Sequence, residues 1–151
     1  IVGSSMGGWI ALHAALRRPG RVAALLGIAA APDFTDWGFT PEQRQSLLTN
    51  SRFERANADG GPPLVTHARF VESGASLRML HNPIAIDCPV RLIHGDKDEE
   101  VPVGVAFKLL DSIHSGDVQL HVIKYGGHRL SQPHEIEAML RAIAVLAEKL
   151  S

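Results

Sequence analysis

The sequence predicts an α/β fold in which a mostly parallel sheet is flanked by helices. Apolar runs of strand length alternate with helical segments near both ends of the chain, and this alternation favours parallel β-α-β units. The run at 22–29 is continuously apolar, as in strands covered on both faces of a sheet. A middle segment without such a run predicts an insertion.

The core elements are predicted in an order that returns to the sheet after the insertion. Residues 1–4 read as the end of a buried strand, and Pro19-Gly20 stop the first helix. The remaining predictions are helix 9–18, strand 22–29, strand 90–94, helix 102–114, strand 118–123 and helix 133–150. We therefore expect one partial domain, 1–151, whose core is formed by 1–31 and 83–151.

The insertion, residues 32–82, has a different composition from the core. It contains four of the five phenylalanines, and helices are predicted at 41–57 and 67–80. We expect a helical cap or lid over the sheet. Trp37 and Phe70 are candidate substrate-binding residues in an apolar channel, although such side chains can also serve only to hold the insertion in place.

Composition excludes several function classes. The net charge of −1 offers no counter-charge surface to nucleic acid or anionic lipid, and no apolar run is long enough for a membrane span. The single cysteine, Cys88, permits no intrachain disulfide and is expected to be a buried, inert thiol. The histidines lack metal-ligand spacing, so no metal and no cofactor are expected.

The start of the chain bears on localisation. The sequence opens at Ile1 rather than at methionine, within what reads as a structural unit. We expect an earlier segment, with any targeting sequence, to be missing from the sequence. The default expectation is a cytoplasmic protein, and the sequence does not predict an oligomeric state.

A candidate nucleophile lies between the first predicted strand and the first helix. Residues 3–7, Gly-Ser-Ser-Met-Gly, match G-x-S-x-G, a pattern that places its serine on a sharp strand-to-helix turn with Oγ exposed. Ser5 is the expected nucleophile, and Ser4 is its rival. The alternatives are a glycine-rich helix start capped by serines and a phosphate-binding loop, but the sequence lacks the lysine or third glycine of the latter.

A serine nucleophile needs a general base and an orienting carboxylate, and these follow in the expected chain order. The loop after strand 90–94 offers Asp96, Asp98, Glu99 and Glu100. Asp98 is preferred because it lies midway between the strand end and the helix start, whereas the glutamates can serve as an acidic helix start.

The candidate base is His128, which follows a glycine pair at the end of the last predicted strand. The other seven histidines lie within predicted helices or strands, near helix ends or in the insertion. Their positions fit a general base less well. The sequence thus predicts a triad of Ser5, Asp98 and His128.

Three motifs together resemble the α/β-hydrolase superfamily over the whole chain. They are Gly-Ser-Ser-Met-Gly-Gly-Trp at 3–9, His-Gly-Asp-Lys-Asp-Glu-Glu-Val-Pro at 94–102 and Gly-Gly-His-Arg-Leu at 126–130. The stretches at 8–15 and 88–95 are similar, more narrowly, to the palmitoyl-protein thioesterase and acyl-glucuronide esterase branch. This resemblance implies the same triad.

The resemblance also implies an activity. It implies hydrolysis of a carboxylic ester or thioester in a small-molecule or acylated substrate, with the Met6 N–H as one oxyanion-hole donor. The second donor of the family precedes the equivalent of Ile1, so residues 1–151 alone are expected to be poorly stable and essentially inactive. Other hydrolase chemistry (aminopeptidase, lactonase), an inactive truncated product and a binding-only homologue remain alternatives.

Overall fold

The computed structural model describes residues 1–57 and 60–150. In chain order the elements are β1 (Val2–Ser4), α1 (Met6–Arg17), β2 (Leu25–Ile28), α2 (Phe34–Trp37), α3 (Pro41–Asn50), β3 (Arg52–Arg55), β4 (Leu64–His67), α4 (Ala68–Ala75), β5 (Val90–Gly95), α5 (Val103–Ser112), β6 (Val118–Ile123) and α6 (Pro133–Glu148). They form two compact units, one of Ile1–Pro32 with Met79–Ser151 and one of Asp33–Arg78.

The first unit is built on a four-stranded parallel sheet in the order β1-β2-β5-β6. Parallel neighbours require crossover connections, which α1 and α5 supply. Since all four strands run in the same direction, their carboxyl ends lie along one edge. The loops after β1, β5 and β6 therefore begin at the same edge, where open α/β sheets place their ligands.

The central strands of the sheet are buried. Every residue of β5 is buried, as expected for a strand covered on both faces. On one side, Leu26, Ile93 and Ile123 of the sheet pack with Leu146 of α6 in one cluster. Burying such side chains stabilises the fold by about 1.5–3 kcal/mol each, so this cluster attaches α6 to the sheet.

The second unit contains a β-hairpin that the sequence did not predict. The helix expected over 41–57 ends at Asn50, because Ser51 adopts a left-handed backbone with φ 59°. β3 then pairs antiparallel with β4. Phe53 is the buried residue of β3, and its ring lies 5.5 Å from that of Phe39. The insertion therefore combines short helices with a two-stranded sheet.

The start of α3 follows the sequence prediction. Thr40 accepts a hydrogen bond from the Gln43 N–H at 3.2 Å, and the Gln43 side chain accepts the Thr40 N–H at 3.0 Å. This reciprocal pair satisfies two N–H groups that the helix itself leaves without acceptors. Pro41 occupies the first turn, where the missing N–H costs nothing.

None of the helices formed by residues 1–57 and 60–150 combines the length and the apolar character needed to cross a bilayer.

Candidate active site

Three polar side chains converge at the carboxyl edge of the parallel sheet. Ser5 directly follows β1, Asp98 lies in the loop between β5 and α5, and His128 lies in the loop between β6 and α6. The strand order brings these loops together although Ser5 and His128 are 123 positions apart.

Ser5 occupies a strained turn. Its backbone has φ 53° and ψ −123°, a region that residues with a side chain seldom adopt. The turn is held by the last residue of β2 and the segment that follows it, because the Ser5 N–H donates to Ile28 O at 2.9 Å and Ser5 O accepts the Ala31 N–H at 3.0 Å. The strain is thus maintained by the sheet, and it points Oγ away from the strand.

Close approach explains one glycine of the serine motif, Gly3, and the glycine that follows the motif, Gly8. A side chain on Gly3 would collide with the backbone of Gly7 and Gly8, and one on Gly8 would collide with Ala30. Gly7 itself faces open space. The glycine after the motif, rather than its last member, is therefore the one that lets α1 pack closely.

A continuous hydrogen-bond chain links the three side chains. His128 Nε2 lies 3.0 Å from Ser5 Oγ, and His128 Nδ1 lies 2.9 Å from Asp98 Oδ2. The imidazole side chain is 17% exposed, whereas the Asp98 carboxylate is 0% exposed. The serine can pass its proton to Nε2, since the carboxylate holds the remaining proton on Nδ1.

The other oxygen of Asp98 is held by its own loop. Oδ1 accepts the backbone N–H of Glu100 at 2.9 Å and that of Val101 at 2.8 Å. A buried carboxylate is costly unless it is hydrogen-bonded, and these donors stabilise its charged form. They also fix the direction in which Oδ2 points.

Two other carboxylates that the sequence offers as the orienting acid, Asp96 and Glu100, do not lie beside His128 Nδ1. Asp96 Oδ1 accepts the Tyr125 N–H, so this side chain connects the loop between β5 and α5 to the loop after β6. The Glu100 carboxylate is 58% exposed and reaches only to 3.9 Å from His128 Nε2, the nitrogen that faces the serine. Neither side chain occupies the place beside Nδ1 that an orienting acid needs.

The segment that carries Asp98 and the segment that carries His128 approach each other at two glycines. A side chain on Gly95 would lie 3.0 Å from Gly126 Cα and closer still to the Gly126 carbonyl group. We expect Gly95→Ala to lower the free energy of unfolding by about 1–3 kcal/mol, as overpacking does, measured by urea unfolding. The control is Gly104→Ala, because Gly104 faces open space in α5. Equal stability of the two variants would contradict the importance of this contact.

One residue at the site was set aside in the sequence analysis. His94 lies on β5 and is 1% exposed, with Nε2 2.8 Å from Val101 O and 3.3 Å from Asp98 Oδ2. The sequence feature that could have indicated this contact is the spacing of four positions between His94 and Asp98, which spans the end of β5. A histidine within a strand does not by itself indicate a partner.

The remaining predicted site residues lie at separate places. Met6 is the first residue of α1, where a backbone N–H has no acceptor within the helix. Trp37 and Phe70 belong to the second unit, in which the Phe70 ring lies 5.8 Å from Phe34. Their predicted roles in binding substrate stay predictions.

Other reactive groups do not form a competing centre. Burial raises the pKa of the Cys88 thiol, which makes a thiolate nucleophile less available there. Among residues 1–57 and 60–150, no three histidine, cysteine or acidic side chains are arranged to hold a metal ion.

Known proteins resemble this chain in sequence. The model of the prolyl oligopeptidase family matches residues 1–150. A rat relative named palmitoyl-protein thioesterase ABHD10, mitochondrial, is 37% identical over 157 residues, which cover 100% of this chain and 52% of the relative. The human counterpart is 34% identical, with 51% of its length covered. The chain thus spans about half the length of these curated relatives.

Two solved structures superpose closely on this chain. Alpha/beta hydrolase domain-containing protein 10 from mouse superposes with a TM-score of 0.87 at 36% identity, over 99% of this chain and 62% of that one. A protein from Agrobacterium vitis S4 superposes with a TM-score of 0.86 at 34% identity, over 96% of this chain and 59% of that one.

The comparisons correct one expectation and confirm two others. The expected cytoplasmic location is wrong, because the curated relatives from rat, mouse and human are all named as mitochondrial proteins. The superfamily resemblance and the fold class are confirmed by the family match and by both superpositions. The chain belongs to the prolyl oligopeptidase family and has the α/β-hydrolase fold.

Proposed function

We propose that this chain carries the catalytic triad of a serine hydrolase that cleaves carboxylic ester or thioester bonds. The observation that carries the proposal is the hydrogen-bond chain from Ser5 Oγ through His128 to Asp98, with distances of 3.0 Å and 2.9 Å. Such a chain is the arrangement that activates a serine hydroxyl.

The proposed mechanism is acyl transfer to water in two steps. As Ser5 Oγ attacks the carbonyl carbon, His128 Nε2 takes the hydroxyl proton and then gives it to the leaving alcohol or thiol. Asp98 stabilises the imidazolium that forms between these transfers. Water then attacks the acyl-enzyme, His128 takes a proton from it, and the acid is released as Ser5 regains its proton. The leaving group thus departs with the serine proton, and water supplies the hydroxyl of the acid and the proton that returns to Ser5.

The tetrahedral intermediate needs donors for its oxyanion. We assign one of them to the Met6 N–H, the backbone group that follows the nucleophile. Met6 begins α1, so the partial positive charge of the helix start favours an anion there. This position supports the assignment of Met6 without involving its side chain.

The names of the relatives support a proposal for the bond that is cleaved. Rat and human proteins at 37% and 34% identity are named palmitoyl-protein thioesterases. We therefore propose a thioester or ester of a long acyl chain as the substrate. The family name makes a peptide bond the second candidate, because the triad chemistry is the same for amides.

The experiment uses the purified protein with any natural flanking sequence. A fluorophosphonate probe should label Ser5, as located by peptide mass spectrometry. A panel of p-nitrophenyl esters, palmitoyl-CoA, a proline-containing peptide amide and a lactone should give turnover of the esters and the thioester. Turnover of the peptide or lactone alone would replace the proposed bond class. Absence of both labelling and turnover would favour a binding-only protein.

The acyl pocket is a finer proposal that depends on the aromatic residues of the second unit. We expect Trp37→Ala and Phe70→Ala to lower kcat/KM for long-chain esters about tenfold while sparing acetate, because each buried methylene is worth about 0.8 kcal/mol. The chain-length series from acetate to palmitate measures this. The control is Phe107→Ala, because this phenylalanine is 54% exposed on α5. An unchanged chain-length profile would mean that these residues only stabilise their own unit.

A further inference from the structure

His94 is a buried titratable group that touches the candidate triad and that the proposed mechanism does not use. Its side chain is 1% exposed, on a strand whose residues are all buried. A buried polar ring is costly without hydrogen-bond partners. The nearest acceptors to Nε2 are Val101 O at 2.8 Å and Asp98 Oδ2 at 3.3 Å.

The partners determine where His94 carries its proton. A backbone carbonyl can only accept a hydrogen bond, so the 2.8 Å contact with Val101 O requires a proton on Nε2. The same nitrogen lies 3.3 Å from Asp98 Oδ2, but the imidazole that is hydrogen-bonded to that oxygen is His128, through Nδ1 at 2.9 Å. The His94 ring therefore lies beside the carboxylate while its N–H is bound to the loop at Val101 O.

His94 also closes the loop that holds Asp98. The Val101 N–H donates to Asp98 Oδ1 at 2.8 Å, while the carbonyl of the same residue accepts from His94. Strand β5 is therefore connected to the far side of the loop through one side chain. Motion of the loop relative to the strand would break both contacts together.

We propose that His94 is a positioning residue that holds the Asp98 carboxylate in line with His128, an inference that rests on the proposed function. It anchors Val101 to β5 through the bond to Val101 O, and the N–H of the same Val101 holds Asp98 Oδ1. It does not touch the substrate. Without the bond to Val101 O, the loop and its carboxylate gain a wider range of positions, and fewer molecules hold the Nδ1–H of His128 correctly.

The test separates hydrogen bonding from packing. His94→Gln retains an N–H donor at the end of its side chain, whereas His94→Phe fills the space without one. We expect His94→Phe to lower kcat for p-nitrophenyl esters about 10- to 100-fold, the effect of leaving a buried acceptor, here Val101 O, without its donor. KM should stay within about twofold, because the substrate site is untouched, and His94→Gln should recover most of kcat.

Folding is controlled in two ways. Rates are expressed per folded molecule, with the folded fraction taken from thermal melting by circular dichroism. His94→Asn is the second donor-removing variant, since its polar side chain is too short to reach Val101 O. His121→Phe is the matched control, because His121 is an exposed histidine on the adjacent strand β6, and it should leave both constants unchanged.

The outcomes are distinct. Loss of kcat in His94→Phe and His94→Asn, with recovery in His94→Gln, supports the positioning role. If kcat per folded molecule is the same in all three variants, or if activity falls only in proportion to the folded fraction, the positioning role is wrong. If the unsubstituted protein neither hydrolyses the esters nor reacts with a fluorophosphonate, the proposed function itself has failed, whatever the His94 variants do.

Discussion

Replacing Ser5 by alanine is expected to lower kcat for ester hydrolysis by about 10⁴- to 10⁶-fold, the cost of removing the nucleophile of a triad that acts as a unit. The loss arises because no acyl-enzyme can form without Oγ, which lies 3.0 Å from His128 Nε2. Folding should be unaffected, since alanine keeps Cβ and the backbone hydrogen bonds of the turn at Ser5 are unchanged. Initial rates with a p-nitrophenyl ester at high protein concentration measure the residual activity.

The neighbouring serine supplies a matched control. Ser4 is exposed and is the last residue of β1, so Ser4→Ala should retain kcat within about threefold and should still react with a fluorophosphonate, given that surface substitutions rarely matter. Loss of labelling in Ser4→Ala together with retention in Ser5→Ala would move the nucleophile to position 4.

Asp98→Asn is expected to lower kcat about 10⁴-fold. The variant keeps the shape of a side chain that is 0% exposed, but it turns an amide N–H₂ or a weaker acceptor toward His128 Nδ1. The imidazole then adopts the wrong tautomer, in which Nε2 carries the proton and cannot accept one from Ser5. Steady-state kinetics across a pH series measures the loss.

Glu100→Gln tests the rival acid. Its carboxylate is half exposed and lies 3.9 Å from the nitrogen that faces the serine. Salt and water screen such a charge, so this substitution should change kcat by less than about fivefold. A larger loss in Glu100→Gln than in Asp98→Asn would reverse the assignment of the acid.

The order of motifs along the chain was sufficient to predict which side chains meet. Parallel strands end at one edge, so residues that follow such strands converge whatever their separation in sequence. For Ser5, Asp98 and His128 the structure provides the predicted hydrogen bonds. Their catalytic roles stay predictions until the variants are measured.

Sequence reasoning failed where tertiary contacts override local preference. Residues 52–55 read as a continuation of α3, and only the left-handed turn at Ser51 and pairing with 64–67 make them a strand. The importance of Gly8 depends on Ala30, which approaches from the segment after β2. His94 has a visible partner only once the loop folds back onto its strand.

The fastening of the two loops has a consequence for protein engineering. Asp96 holds the Tyr125 N–H, the Lys97 N–H donates to Gly126 O at 2.9 Å, and the Asp96 N–H donates to Ile123 O at 3.0 Å. The segments bearing Asp98 and His128 are therefore joined directly to each other. In chimeras between family members we expect the two segments to work best when exchanged together, because a partner without a carboxylate at position 96 would lose the bond to the Tyr125 N–H.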